Sequence, residues 1–375
     1  MKKKNKILVL SHVFVKKINL SFYESLAKNC NFDITCIAPY YIKNSNKKIY
    51  SDFKSYNGAL KIIKCKIRNN IPRYQYFEKI KKIIQKEKPN HIILDNDTVS
   101  IQSLILIFYS FFFKFNIYFF CNENDLKNIT YKFSFKKLCK LIILYILNFL
   151  IKNKVKKIFC YSSQIKENYD LLGYKKKTVV TPLGYDEKIF FNKRKNKKRN
   201  DLTISYFGRI RYEKGIHVLI KSLSLIKNFK WKLLLDIDQI EDKLYFANIK
   251  KFLSNNFNKK RYHFIKCNHY QIANYLRKSD VLVLPSIYEE QYGRVLQEAV
   301  ACGNVVIGSK KGAIPEIIRD KELLFYPGDH IRLSKIIKKL YTNKYYNKKF
   351  KYLHSSIISE RTISKQVKII NKHIK

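Results

Sequence analysis

Short apolar runs of strand length alternate with segments of helical periodicity along this chain, and after one dense basic stretch the alternation begins again. Lys6–Leu10, Phe32–Ala38, His91–Leu94, Asn116–Cys121 and Val155–Tyr161 read as strands, with helical spacing over Leu20–Asn29 and Tyr74–Glu87. The stretch Phe191–Asn200 (FNKRKNKKRN) is polar and dense in charge, as an exposed linker would be. Beyond it, strands are expected at Leu202–Phe207, Trp231–Asp236, Tyr262–Lys266 and Val281–Leu284, with helices at Gly215–Lys227, Asp242–Asn255 and Gln271–Lys278. Such alternation implies a parallel sheet covered by helices on both faces. The chain therefore reads as α/β, with two doubly wound Rossmann-like domains facing a central cleft, and ligands are expected at the carboxyl ends of the strands.

The composition supports that reading. A length of 375 residues suits two domains, and 46% hydrophobic with 15% aromatic residues gives each a core and excludes wholesale disorder. The formal net charge of +48 admits three readings. Lys, Asn, Ile, Tyr and Phe are high together while Gly, Pro, Ala and Trp are low, a joint skew that an A- and T-rich genome would produce. A basic surface also suits an anionic membrane. Nucleic-acid binding would want a recognisable module, and no zinc-finger spacing, RRM signature or helix-turn-helix pattern stands out, so no nucleic-acid partner is expected.

Eight cysteines include no C-x-x-C pair, and several lie in apolar runs, which reads as reduced, buried thiol in a cytoplasmic protein. The N-terminus resembles a signal peptide in charge, but its apolar stretch Ile7–Leu10 is broken by Ser11 and His12 and reads as a first strand. Val99–Phe113 and Leu138–Ile151 are apolar, yet neither holds the roughly 20 uninterrupted residues of a membrane span. Both read as buried helices. Lys136–Lys157, basic at both ends, is a candidate for a peripheral contact with the inner face of a membrane.

The densest chemical signal is Leu284–Ile318, LPSIYEEQYGRVLQEAVACGNVVIGSKKGAIPEII. A strand ends at Pro285-Ser286, a loop carries Glu290, and Gly293 lies near the start of a helix that holds Glu298. Loop amides ahead of a helix N-terminus make an anion site. A carboxylate in that loop can grip sugar hydroxyls, and one further along the helix can grip a ribose. The second signal is Phe207–Gly215, FGRIRYEKG, which sets Arg209 and Lys214 at the carboxyl end of a strand. Two cations there suit a diphosphate, with charge-assisted hydrogen bonds of about 1.5–3 kcal/mol each.

With TPLGYDEKIF (Thr181–Phe190) ahead of them, these motifs resemble a retaining glycosyltransferase of the GT-B fold, family 4. The family's P-x-G-x-D-x-x-x-F is matched by Pro182, Gly184, Asp186 and Phe190, and its G-R-x-x-x-x-K-G by Gly208, Arg209, Lys214 and Gly215. Its E-x7-E pair falls on Glu290 and Glu298, and its later G-x-P-E motif on Gly312 to Glu316, which reads G-A-I-P-E with one residue more between Gly and Pro. The resemblance implies that Arg209 and Lys214 neutralise a donor diphosphate, with Glu290 on the donor sugar and Glu298 on the ribose. It implies donor binding by Gly208 and by the backbone of Gln291, Tyr292, Gly293 and Arg294. It further implies transfer from a nucleotide-diphosphate sugar to a glycan or lipid-linked acceptor in bacterial surface polysaccharide assembly, with retention, no metal and no cofactor. Asp236-Ile237-Asp238 has a metal-motif spelling but reads as a variant loop.

The expected domains are 1–190 on the acceptor side, a linker at 191–200, a nucleotide-sugar domain at 201–345, and a C-terminal helix at 346–375 packing back on the first domain. The N-terminal half departs from the family. Its usual glycine pair after the first strand is replaced by Ser11-His12-Val13-Phe14, and a customary histidine later by Asn122-Glu123-Asn124-Asp125. His12, Glu123 and Asn124 are thus the acceptor-side candidates, although His12 also reads as a plain loop histidine and Glu123 as a loop acid bonded to lysines. A nucleotide-sugar epimerase of the same fold is the alternative enzyme, and a basic nucleic-acid-binding protein the alternative from another class.

Overall fold

The computed structural model describes residues 4–44, 47–69, 71–121, 146–149, 151–193 and 201–374. Two compact units divide the chain, one formed by Met1–Pro182 with Gln366–Lys375 and the other by Leu183–Lys365. The division falls earlier than position 190, and of the C-terminal stretch only Gln366–Lys375 is counted with the first unit. Most of the charged linker, 194–200, lies outside the described residues.

The first unit holds a seven-stranded sheet. Its strands are β1 (Asn5–Leu10), β2 (Phe32–Pro39), β3 (Lys61–Cys65), β4 (His91–Asp95), β5 (Asn116–Cys121), β6 (Val155–Cys160) and β7 (Thr178–Val180). They run in the order β7-β6-β5-β4-β1-β2-β3, every pairing parallel. Strand β5 reads NIYFFC and is buried along nearly its whole length, because helices cover both faces of a parallel sheet. Phe119, Phe120 and Phe159 are among the largest fully enclosed side chains. The helices that matter below are α1 (Ser21–Asn29), α2 (Ile80–Glu87), α3 (Ile101–Tyr109) and α4 (Ser163–Tyr169).

The second unit holds β8 (Leu202–Tyr206), β9 (Trp231–Asp236), β10 (Tyr262–Ile265), β11 (Val281–Leu284), β12 (Val305–Ser309) and β13 (Leu324–Phe325), in the order β10-β9-β8-β11-β12-β13 and again all parallel. Its helices are α5 (Ile216–Ser224), α6 (Lys243–Asn256), α7 (His269–Lys278), α8 (Arg294–Ala301), α9 (Ile314–Ile317), α10 (His330–Leu340) and α11 (Asn343–Glu360). A last helix, α12 (Ile363–His373), follows.

Two expectations need amendment, and one lies outside the described residues. The helical pattern over Tyr346–Lys375 is interrupted at Arg361–Thr362, where the backbone bridges to Tyr185: Tyr185 N donates to Arg361 O at 3.0 Å and Ile363 N to Tyr185 O at 3.1 Å. The apolar run Val99–Phe113 does contain a helix, but only one side of it is buried: Leu106 sits in the core while Ile101, Leu104 and Phe108 face solvent. Leu138–Ile151 lies outside the described residues except for 146–149 and 151. Among the described residues no helix is long and apolar enough to cross a membrane.

Every described cysteine is free, six of them buried and Cys30 half-buried. Burial lifts the thiols of Cys36 and Cys121 and pushes Cys160 and Cys267 up to about 12.

In each unit the strand order reverses once, between β4 and β1 in the first and between β8 and β11 in the second, which marks the places where a doubly wound sheet opens a crevice. At the second of these, Gly215 starts α5 with φ at +69°, and a Cβ built there would stand 2.0 Å from Pro285 O. Only a residue without a side chain lets this turn press against the end of β11. Gly215→Ala should therefore cost at least about 2 kcal/mol in urea unfolding. Gly328→Ala, at φ +87° with nothing within 4 Å of the added methyl, should cost only about 1 kcal/mol. Equal losses at the two positions would refute the contact.

Candidate functional site

Strand β8 delivers Gly208 and Arg209 to the switch point of the second unit, and β11 delivers Pro285 and Ser286 beside them. Between β8 and α5, a short turn over Tyr212–Lys214 folds Lys214 inward, where it is 8% exposed. Its ammonium donates to Glu290 Oε1 at 2.5 Å and to Tyr288 Oη at 3.0 Å. The Glu290 carboxylate is 6% exposed and also accepts from Ser286 Oγ at 2.5 Å and from Tyr288 Oη at 3.3 Å. The Lys214 ammonium further sits 4.8 Å from the centre of the Tyr288 ring. A buried carboxylate and a buried ammonium are thus paired and supplied with hydroxyl partners, the condition under which charges are tolerated away from water.

The backbone of Glu290 is fixed as firmly as its side chain. Ala313 N donates to Glu290 O at 2.8 Å, and a Cβ on Gly312, which has φ +57°, would come within 2.3 Å of that same oxygen. Ser286 is held from behind by Ser309 Oγ, which donates to its carbonyl at 2.6 Å. The G-x-P-E motif therefore serves here as the ledge on which Glu290 rests.

Gly293 caps α8 in the left-handed conformation, at φ 74° and ψ 46°, and turns the chain from the Glu290 loop into the helix. Gln291 is exposed and Arg294 half-buried. The side chain of Tyr292 points inward, its hydroxyl donating to Leu183 O at 2.5 Å and lying 3.0 Å from Gln297 Oε1. Its part in any site is therefore through the backbone. One turn into α8, Glu298 is 3% exposed with Oε1 3.3 Å from His269 Nε2, and the His269 ring packs edge-on against Phe190 at 5.4 Å. Phe190 closes the P-x-G-x-D-x-x-x-F motif, so that motif and Glu298 meet through one imidazole. Elsewhere in the motif, Leu183 O accepts from Gln297 Nε2 at 2.6 Å, and a Cβ on Gly184 would stand 2.5 Å from Ile363 N.

Arg209 is not joined to Glu290. Its Nη1 lies 3.1 Å from Glu241 Oε1, and Arg211, 3.7 Å from the same carboxylate, stacks its guanidinium 5.2 Å from the Tyr288 ring. Ser286, Tyr288, Glu241 and His269 thus belong to this constellation without being flagged by the sequence. Ser286 and Tyr288 flank Glu290 closely enough that a loop carboxylate needing partners could have pointed to them. His269 and Glu241 come from distant segments with no motif of their own.

The loop Asp236–Asp238 ends β9. Asp238 N donates to Asp236 Oδ1 at 3.1 Å, and Cys267 Sγ lies 3.8 Å from the same oxygen. Burial raises the Asp236 carboxyl to about 6.

At the switch point of the first unit, His12 sits in a short turn after β1 that is capped by Ser11, whose Oγ accepts from Val13 N at 3.3 Å. Ser11 Oγ also donates to Asp95 Oδ2 at 2.7 Å. His12, Asp95, Asn96, Gln75 and Gln102 line a small open pocket of about 10 Å³ there, together with the apolar Leu10, Ile67, Phe77 and Leu94. Burial lowers the His12 pKa, with Asp95 opposing. Glu123 and Asn124 lie outside the described residues.

Residues 187–354 match the family model described as Glycosyl transferases group 1. An uncharacterized glycosyltransferase of Methanocaldococcus jannaschii is 30% identical over 149 residues, 36% of this chain and 34% of the relative. The chain thus spans about a third of the length of the first curated relatives it matches. Sucrose-phosphate synthase from Thermosynechococcus elongatus superposes with a TM-score of 0.74 at 18% identity, covering 98% of each chain. Anabaena HepE in complex with UDP-glucose superposes with a TM-score of 0.68 at 14% identity, also covering 98% of each. These likenesses establish the GT-B fold.

Two outcomes are expected. Lys214→Met should destabilise the protein by roughly 3–5 kcal/mol because it strands a buried carboxylate, and adding Glu290→Gln should recover most of that loss in a double-mutant cycle. Asp236→Asn should raise stability at pH 8 by about 1–3 kcal/mol. The folded pKa of Asp236 lies above its unfolded value, so its favourable contribution is complete below about pH 4 and lost as pH rises through 6. Thermal melts of parent and variant should accordingly converge toward pH 4, and a pH-independent gap would refute the assignment.

Proposed function

From the match of residues 187–354 to the glycosyl transferases group 1 family model, we propose that the chain is a retaining glycosyltransferase. It takes a sugar from a nucleotide-diphosphate donor and passes it to a glycan or lipid-linked acceptor in surface polysaccharide assembly. The observation that carries this reading is the Lys214–Glu290 pair at the β8–β11 switch point, beside the amino end of α8. There a cation, a carboxylate and helix amides stand where a sugar diphosphate needs them.

In this reading Lys214 and Arg209 neutralise the diphosphate, and their effect grows as the sugar–phosphate bond breaks and charge collects on the leaving oxygen. Glu290 accepts hydrogen bonds from the donor sugar. The backbone of Gln291–Arg294, with Gly208 across from it, approaches the sugar and phosphates. Glu298, with His269 beside it, holds the ribose. The acceptor hydroxyl attacks the same face from which the nucleotide departs, which retains configuration, and the chain's own residues supply the chemistry without metal or cofactor. The pocket around His12 and Asp95 is the acceptor-side candidate in the first unit. The UDP-glucose bound to Anabaena HepE supports a nucleotide-sugar donor.

A panel of nucleotide sugars in thermal-shift and nucleotide-release assays tests the proposal. At least one should stabilise the protein and be turned over, with the product's anomeric configuration preserved in proton NMR. Glu298→Ala should weaken nucleotide binding by about 1.5–3 kcal/mol, the value of a hydrogen bond to a charged group. Silence across the panel from folded protein would dispose of the reading.

A further inference from the structure

Helix α3 seats Leu106 in the core but also encloses polar side chains while leaving large apolar ones in solvent. Gln102 and Ser103 are enclosed, and Gln102 Oε1 accepts from Phe77 N at 2.8 Å. Facing solvent are Ile101, Leu104 and Phe108, which share one helical face. The turn that follows adds Phe111 and Phe112, each 67% exposed. Residues 146–149 and 151–154 run alongside: Thr98 Oγ1 donates to Asn148 Oδ1 at 3.0 Å near the start of α3, and Lys154 Nζ stands 4.1 Å over the Phe111 ring beyond its end. Phe149, on that segment, is 69% exposed. Scattered exposed apolar residues are ordinary, but a contiguous group of large ones marks an interaction surface.

Cations surround this face. Lys114 follows the phenylalanines directly and Lys152 and Lys154 follow Phe149. Lys156 and Lys157 continue the run, and all but Lys154 of the later group lie close enough to Lys177 to add their repulsion to burial in lowering its pKa. A second copy of the chain would bring the same lysines to the same face, and with a net charge of +48 it would be repelled. An anionic surface that also accepts aromatic side chains satisfies both halves of the pattern.

We infer that this face of the first unit docks on an anionic lipid bilayer, with Phe108, Phe111, Phe112 and Phe149 entering the boundary between headgroups and acyl chains and the flanking lysines meeting lipid phosphates. The inference does not rest on the transferase reading. It also separates a built docking face from a diffuse positive charge, because a genome-wide lysine skew would not by itself gather large aromatic side chains on one exposed face.

Flotation of the full chain with vesicles tests it, using phosphatidylcholine alone and phosphatidylcholine mixed with phosphatidylglycerol. The protein should float with the mixed vesicles and remain behind with the neutral ones. Phe111→Ser with Phe112→Ser should weaken binding by roughly tenfold or more, and Lys152→Glu with Lys154→Glu by about fivefold or more per charge. Both phenylalanines are exposed, so the melting temperature should hold. As a second readout, Phe112→Trp adds an exposed reporter to a chain whose single Trp231 is buried, and its emission should shift to the blue on mixed vesicles only. The inference is overturned if the parent fails to float, if the serine pair floats as well as the parent, or if the tryptophan emission stays put. It is equally overturned if light scattering finds a dimer that the serine pair abolishes.

Discussion

The second unit is organised around one buried ion pair. Bringing the Lys214 ammonium and the Glu290 carboxylate out of water costs several kcal/mol for each ion, and their attraction offsets this only when the remaining hydrogen-bond capacity is met. Ser286 and Tyr288 meet it from one side, and the ledge at Gly312–Ala313 fixes the loop from the other. Those demands reach outward into the backbone. Gly215 has no side chain because the turn bearing Lys214 abuts Pro285, and Gly312 has none because it abuts Glu290. Ser309 anchors Ser286. A pair so placed adds little net stability and instead sets position. On the proposed reading, it holds a carboxylate and a cation at one spot before any donor arrives, so that no reorganisation is needed when charge develops there.

Much of the fold was legible because parallel strands covered on both faces announce themselves as unbroken apolar runs. Asn116–Cys121 and Val281–Leu284 begin and end where those runs do. The order of motifs likewise carried Lys214 and Glu290 to one place. Legibility failed where a decision belongs to tertiary contacts. Thr362 lies inside a helical pattern, and only its bridge to Tyr185 breaks the helix. Val99–Phe113 is apolar enough to pass for a buried helix, and the inward turn of Gln102 is set by Phe77, a residue far away in sequence. His269 reaches Glu298 from another helix, with no local signal to announce it. Arg209 pairs with Glu241, a partner that no motif announces.

The two units repeat one device with different contents. Each reverses its strand order once, and each places polar side chains at the resulting crevice. In the second unit these are charged and tightly bonded to one another. In the first they are Ser11, His12, Asp95 and Asn96 around an open pocket, where burial weakens the hold of His12 on a proton. A charged, rigid crevice suits a charged ligand.

The thiols carry a practical corollary. Nucleophilic sulfur is thiolate, and with Cys160 and Cys267 lifted to about 12 the ionised fraction at neutral pH is on the order of one in 100,000. A cysteine newly introduced on the surface would therefore outpace these native thiols toward maleimide. Fluorophores or spin labels could be attached at a chosen site once the half-buried Cys30 and Cys139, which lies outside the described residues, are replaced.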